Sequence, residues 1–213
     1  MYYRKLFFFL FFSVLMGQMS LQSSLQDDKW AIRVYNGYAT YRPLIAIITY
    51  ADVPRERHNT GIRGIDFSHK LVRGWKNLPI DWSIRAGYIH HFEKGYQPNH
   101  NQYTLFFLGH YRKSVFGFPV NFFIGEGLSW AELVPFVEGR ETRRISGKDS
   151  QLMNYLNVGF DLKISDLFPI ISYNNLSVGF AVSHRSGIYK QLKLFNNTQG
   201  GGNFVTFFTE FNF

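Results

Sequence analysis

Three polar side chains near the end of the sequence have the types and spacing of a nucleophilic site: His184, Ser186 and Asn203. A serine hydroxyl attacks a carbonyl carbon poorly until an imidazole takes its proton, and the imidazole needs a third group to fix its tautomer. His184 and Ser186 are two apart, which on a β-strand stands both on one face. Asn203 offers an amide oxygen that can orient the ring, without supplying charge. The competing account is a polar collar at the end of a membrane strand, with no chemistry at all. Which of the two holds depends on the elements that carry these residues.

Alternation with period two runs from residue 30 to the C-terminus and predicts strands near 30–41, 63–73, 79–92, 100–112, 119–131, 150–164, 174–186 and 203–213. Connections at 73–79, 112–119 and 164–174 are short and rich in Gly, Pro and Asn. Those at 42–62, 131–149 and 187–202 are long and polar, and the one near 93–99 is intermediate. This rhythm predicts an all-β fold, an eight-stranded antiparallel transmembrane β-barrel with short periplasmic turns and long outer loops. Leu44–Ala51 is apolar between Pro43 and Pro54. It reads as a ninth strand or a short interfacial element of the first outer loop, and an even strand count favours the loop.

Parity assigns the faces. Leu176, Val178, Phe180 and Val182 share one side of the seventh strand and Ser177, Gly179, Ala181 and Ser183 the other. The apolar side meets lipid. The same rule sends Arg33, Asp66, Lys70, Asp81, Arg85, Asp161 and Lys163 inward, where both signs of charge must pair. Eight strands enclose only enough room for side chains, so the interior is expected to be charged and filled rather than a pore. The outward series of the seventh strand then runs on from Val182 to His184 and Ser186, and that of the last strand begins at Asn203. All three converge on one lipid-facing patch at the loop end.

The start of the chain fits this reading. Arg4 and Lys5 precede an apolar run from Leu6 to Met16, too short to span a bilayer, followed by small and polar residues. Residues 1–24 are expected to be a signal peptide and residues 25–213 the barrel. The chain has 23 Phe and 13 Tyr, yet its mean hydropathy is slightly negative, which points away from a helical membrane protein. With no cysteine, disulfides and thiolate metal sites are excluded. The net charge of +8 suits an anionic surface. After an export signal that surface is a phosphate-bearing leaflet, not nucleic acid.

His184-Arg185-Ser186 in the penultimate strand, then Gly200-Gly201-Gly202-Asn203 and a final aromatic strand, resemble the outer-membrane lipid A 3-O-deacylases of the PagL type and their acyloxyacyl-hydrolase-like relatives. Gly125-Glu126-Gly127-Leu128-Ser129-Trp130 and His184-Arg185-Ser186-Gly187 resemble the relatives most. The resemblance implies a serine esterase that removes an ester-linked acyl chain from lipid A, with Ser186 as nucleophile and His184 as base. The family's third member is a glutamate where this chain has Asn203. The family's asparagine after the serine is here Gly187, so backbone N–H groups at Gly187 and Gly201 are the candidates to hold the oxyanion. Glu126 is the alternative acid. Strict alternation points it into lipid, and its flanking glycines suggest a bulge turning it inward, with an interior ion pair favoured over catalysis.

Two further groups stand out. His90-His91 and His100 could suggest a metal, but adjacent residues face opposite ways on a strand. A belt at the membrane surface is the preferred account, and neither metal nor cofactor is expected. Arg140, Arg143, Arg144 and Lys148 lie in a long outer loop, as a solvated run or as docking points for lipopolysaccharide phosphates. The partners expected are therefore lipopolysaccharide in the outer leaflet and the membrane itself, with a homodimer as a further possibility. The rival function is a non-enzymatic outer-membrane barrel with a structural or adhesive role.

Overall fold

The computed structural model describes residues 29–168, 175–188 and 192–213. The expected signal segment lies outside them, as does most of the 164–174 turn. Eight strands follow one another: β1 (Trp30–Thr40), β2 (Gly61–Val72), β3 (Ile80–Phe92), β4 (His100–Val115), β5 (Phe118–Ala131), β6 (Leu152–Lys163), β7 (Leu176–Ser186) and β8 (Gly201–Asn212). Each pairs antiparallel with the next, and β8 returns to β1 to close the barrel. Closure leaves no edge strand with unpaired backbone groups, a requirement for any sheet that meets hydrocarbon. No helix among the described residues is long and apolar enough to cross a membrane.

The outer wall carries Ile32, Val34, Ile65, Phe67, Leu105, Ile124, Phe207 and Phe211 exposed. Such a surface is costly in water and suits lipid. Inward, Arg33 Nε and Arg85 Nη1 both donate to Glu210 Oε2, at 2.7 and 2.8 Å, and Asp66 lies 3.8 Å from Arg85. The Arg33 guanidinium also stacks 3.7 Å over the Phe208 ring. Arg33, Asp66, Asp81, Arg85 and Asp161 are buried as parity predicts. Lys70 and Lys163 face the same interior. Both line a cavity of about 270 Å³ at its turn end together with Asp81, Arg85, Asp161 and Glu210, and Lys163 is exposed there.

Among the described residues three α-helices interrupt the connections: α1 (Leu44–Tyr50), α2 (Phe136–Ser146) and α3 (Ile164–Leu167). Leu44–Tyr50 is thus a helical element of the first loop, not a ninth strand. The long, polar 131–149 connection contains a helix. Its helix α2 begins after Pro135 and stops at Gly147, whose φ of 70° lets its N–H reach back 2.9 Å to the Arg143 carbonyl. Glu138, Gly139 and Thr142 form its buried side. That side lies against β8 at Gly202, where an added Cβ would sit 3.1 Å from the Glu138 Cβ. Helix α2 therefore caps the loop end of the barrel interior.

Candidate active site

The register carries His184 and Asn203 to directly opposed positions on β7 and β8. His184 Nδ1 and Asn203 Oδ1 are 2.7 Å apart, and Asn203 Nδ2 donates to the Arg42 carbonyl at 2.8 Å. The second bond fixes the first: with the amide nitrogen held by a carbonyl, the amide oxygen must face the ring. His184 is therefore placed to carry its proton on Nδ1, with the Gly202 carbonyl a second hydrogen-bond partner of the ring; the Nε2 lone pair of that tautomer has the form of a base. Ser186 stands two residues on, on the same outward face, opposite Asn154 of β6 and Gly201 of β8. All three predicted residues are half-buried on the outer wall. Among the described residues no hydrogen bond joins the Ser186 hydroxyl to the imidazole.

One continuous row crosses the outer wall: Glu126, Leu156, His184, Asn203 and Thr40. No register shift occurs in β5 against either neighbour. The bulge expected at Glu126 is absent, and the carboxylate stays on the outward face and exposed. Leu156 separates it from His184 by two strand spacings, about 10 Å, beyond hydrogen-bond reach. Its partner is Asn154, which hydrogen-bonds it. The polarity that misplaces Glu126 in lipid is thus shared by a patch of Glu126, Asn154, His184, Ser186 and Asn203.

Asn154 is the residue that sequence reasoning passed over. It shares the outward series of β6 with Leu156, Val158 and Phe160, so a polar residue on the lipid face was the available signal. It is 7% exposed and faces Ser186 directly. The expectation of a free Gly187 amide is corrected: its N–H donates to the Gly200 carbonyl at 3.2 Å. Gly201 remains directly opposite the serine.

The basic residues of α2 lie exposed above the barrel. Arg143 is paired with Asp149, and Arg144 makes a two-pronged contact with Glu141 at 2.7 and 3.0 Å. Arg140 points at His58, 2.9 Å from its Nε2. Neither Arg140 nor Lys148 has an acidic partner among the described residues. Beneath α2, Glu138 is buried 3.5 Å from Arg185. Burial raises the Glu138 carboxyl above the ordinary carboxylate range in spite of that guanidinium. In the β3–β4 loop, burial pushes Glu93 up to about 7.

Of the three histidines only His90 faces outward, as a belt would require, and its Nδ1 contacts Asn101 at 2.9 Å. His91 and His100 point inward and are buried.

No protein-family profile and no curated protein matches the chain. Among solved structures the fold is similar to that of the outer membrane enzyme PagL, at 14% identity over 84% of this chain and 97% of that one, with a TM-score of 0.52. It is also similar to the N-terminal β-barrel domain of Pseudomonas aeruginosa OprF, at 14% identity over 87% and 98%, with a TM-score of 0.48. The PagL likeness shows the architecture of an outer-membrane eight-stranded barrel, and at this identity it shows the fold alone.

Proposed function

We propose that the chain resides in the bacterial outer membrane and acts as a serine esterase, removing an ester-linked acyl chain from lipid A. One observation carries this reading: the chain of bonds from the Arg42 carbonyl through Asn203 to His184 Nδ1, beside Ser186 on a lipid-facing wall. A polar collar has no need of an oriented imidazole. A base does.

In the proposed reaction the acyl carbonyl approaches from the membrane side. His184 Nε2 takes the Ser186 proton as Oγ attacks, and the imidazolium returns it to the departing sugar hydroxyl. Water, deprotonated by the same nitrogen, then releases the fatty acid. The Asn154 amide, facing Ser186, and backbone N–H groups near Gly201 are the donors available to the oxyanion. Apolar Ile45 and Ile48 of α1 are exposed just beyond Arg42 and suit contact with acyl chains. Arg140 and Lys148 are the basic groups most available to the substrate's phosphates. The site needs no metal for this chemistry.

Mass spectrometry of lipid A from cells expressing the chain tests the proposal. The wild type is expected to remove one hydroxyacyl mass, and Ser186→Ala and His184→Ala, still folded, are expected to leave lipid A intact. Unmodified lipid A beside well-folded wild-type barrels would overturn it in favour of a structural or adhesive barrel.

A further inference from the structure

On the inner wall at the loop end, away from Ser186, His91 of β3 and His100 of β4 face each other in register. Their rings stack with centroids 4.6 Å apart and planes 6° from parallel. Glu93, just past the end of β3, completes a buried trio in which one nitrogen or carboxylate oxygen from each residue lies within 4.8 Å of the others. All three are at most 3% exposed.

The hydrogen bonds decide what this trio is built for. Gln102 Oε1 accepts from His91 Nε2 at 2.8 Å, which puts the proton there and leaves Nδ1 with a bare lone pair. That nitrogen is buried without a hydrogen bond, and so is Nε2 of His100. Glu93 Oε1 lies 4.0 Å from His91 Nδ1 and 3.6 Å from His100 Nδ1, which also contacts the Pro98 carbonyl at 3.4 Å, so the bare lone pair of His100 is on Nε2. Two unsatisfied imidazole lone pairs beside a carboxylate in a dry interior are costly unless something positive lies among them. Glu93 is itself held in place by Gln97 Nε2 at 3.1 Å and by the Phe136 N–H at 3.2 Å.

We propose that His91, Glu93 and His100 bind a divalent transition metal of the zinc class. Two imidazoles and one carboxylate suit such a borderline cation, whereas calcium and magnesium prefer all-oxygen shells. Tetrahedral zinc with bonds of about 2.0–2.1 Å would space its ligand atoms by about 3.4 Å, so side-chain rotations of roughly an ångström close the trio. Gln102 serves as the outer partner that fixes the His91 tautomer, the arrangement metal-bound histidines generally have. Because Glu93 also receives the first N–H of α2, a bound ion ties the β3–β4 hairpin to the helix over the barrel mouth. This site is independent of the esterase reading.

The test uses the full barrel in detergent micelles, stripped with EDTA and titrated with Co²⁺ and then Zn²⁺. Visible absorption reports a low-coordinate cobalt site, and metal analysis after equilibrium dialysis gives the stoichiometry. One equivalent is expected in the wild type and in His90→Ala, with Zn²⁺ displacing the cobalt spectrum. His91→Ala and His100→Ala are expected to lose it while keeping the heat-modifiable gel mobility of a folded barrel. His91→Gln replaces the alanine variant if mobility changes. Gln102→Leu should bind about 10–100-fold more weakly. Absence of stoichiometric metal in the wild type, or equal uptake by folded His91 and His100 variants, would overturn the proposal.

Discussion

Asn203 sets the state of His184 by geometry alone. Its amide is turned by the Arg42 carbonyl so that the ring receives an acceptor without charge. Such a group orients the base but does little for the imidazolium that forms as Ser186 attacks. A carboxylate would do both, and a charge-assisted hydrogen bond exceeds a neutral one by about 1–1.5 kcal/mol. Asn203→Glu is therefore expected to raise the rate of acyl release about tenfold, read against a Ser186→Ala blank; a slower variant would mean that the bond to Arg42 matters more than charge. Asn154 makes a second prediction at this scale. If its amide meets the oxyanion, Asn154→Ala lowers kcat about 10²-fold with KM little changed. A change in KM alone would make it a binding group.

At the scale of elements, α2 answers to pH through Glu138. Arg185 of β7, Asp149 beyond the helix and Glu93 of the β3–β4 loop are the charged groups around it. A carboxyl whose value is raised on folding holds its proton more tightly in the folded state. The stability it lends is whole below the ordinary carboxyl value near 4.5 and is lost as pH climbs through the raised one. Hydrogen exchange of residues 137–146, corrected for the intrinsic rate, should show protection falling from acid toward neutral pH, and Glu138→Gln should flatten the slope. The same helix marks the limit of what the sequence discloses. Strands were legible because every second residue of a stretch such as 176–183 must be apolar in lipid, and the pairing of His184, Ser186 and Asn203 followed from that parity. The buried side of α2 is a carboxylate, a glycine and a threonine, so no hydrophobic period betrays it. Asn154 and the inward His91 obey the parity rule too. Their importance comes from neighbours on other strands, which local spacing does not reveal.

For the whole molecule, the interior charges hold the cylinder together across four strands: Arg33 from β1, Asp66 from β2, Arg85 from β3 and Glu210 from β8. Glu210→Leu would leave both guanidiniums without a carboxylate hydrogen bond among the described residues. A loss of about 3–5 kcal/mol is expected, measured as a lower denaturant midpoint of the folded band on gels. A drop much smaller than this would mean that water inside the barrel already solvates the arginines. Glu210 also stands 177 residues along the sequence from Arg33, on the strand that closes the barrel against β1. The counter-ion for Arg33 is thus supplied only by the pairing of β8 with β1. Ring closure and charge neutralisation are therefore one event, and a slipped seam between these two strands is expected to part Arg33 from its carboxylate.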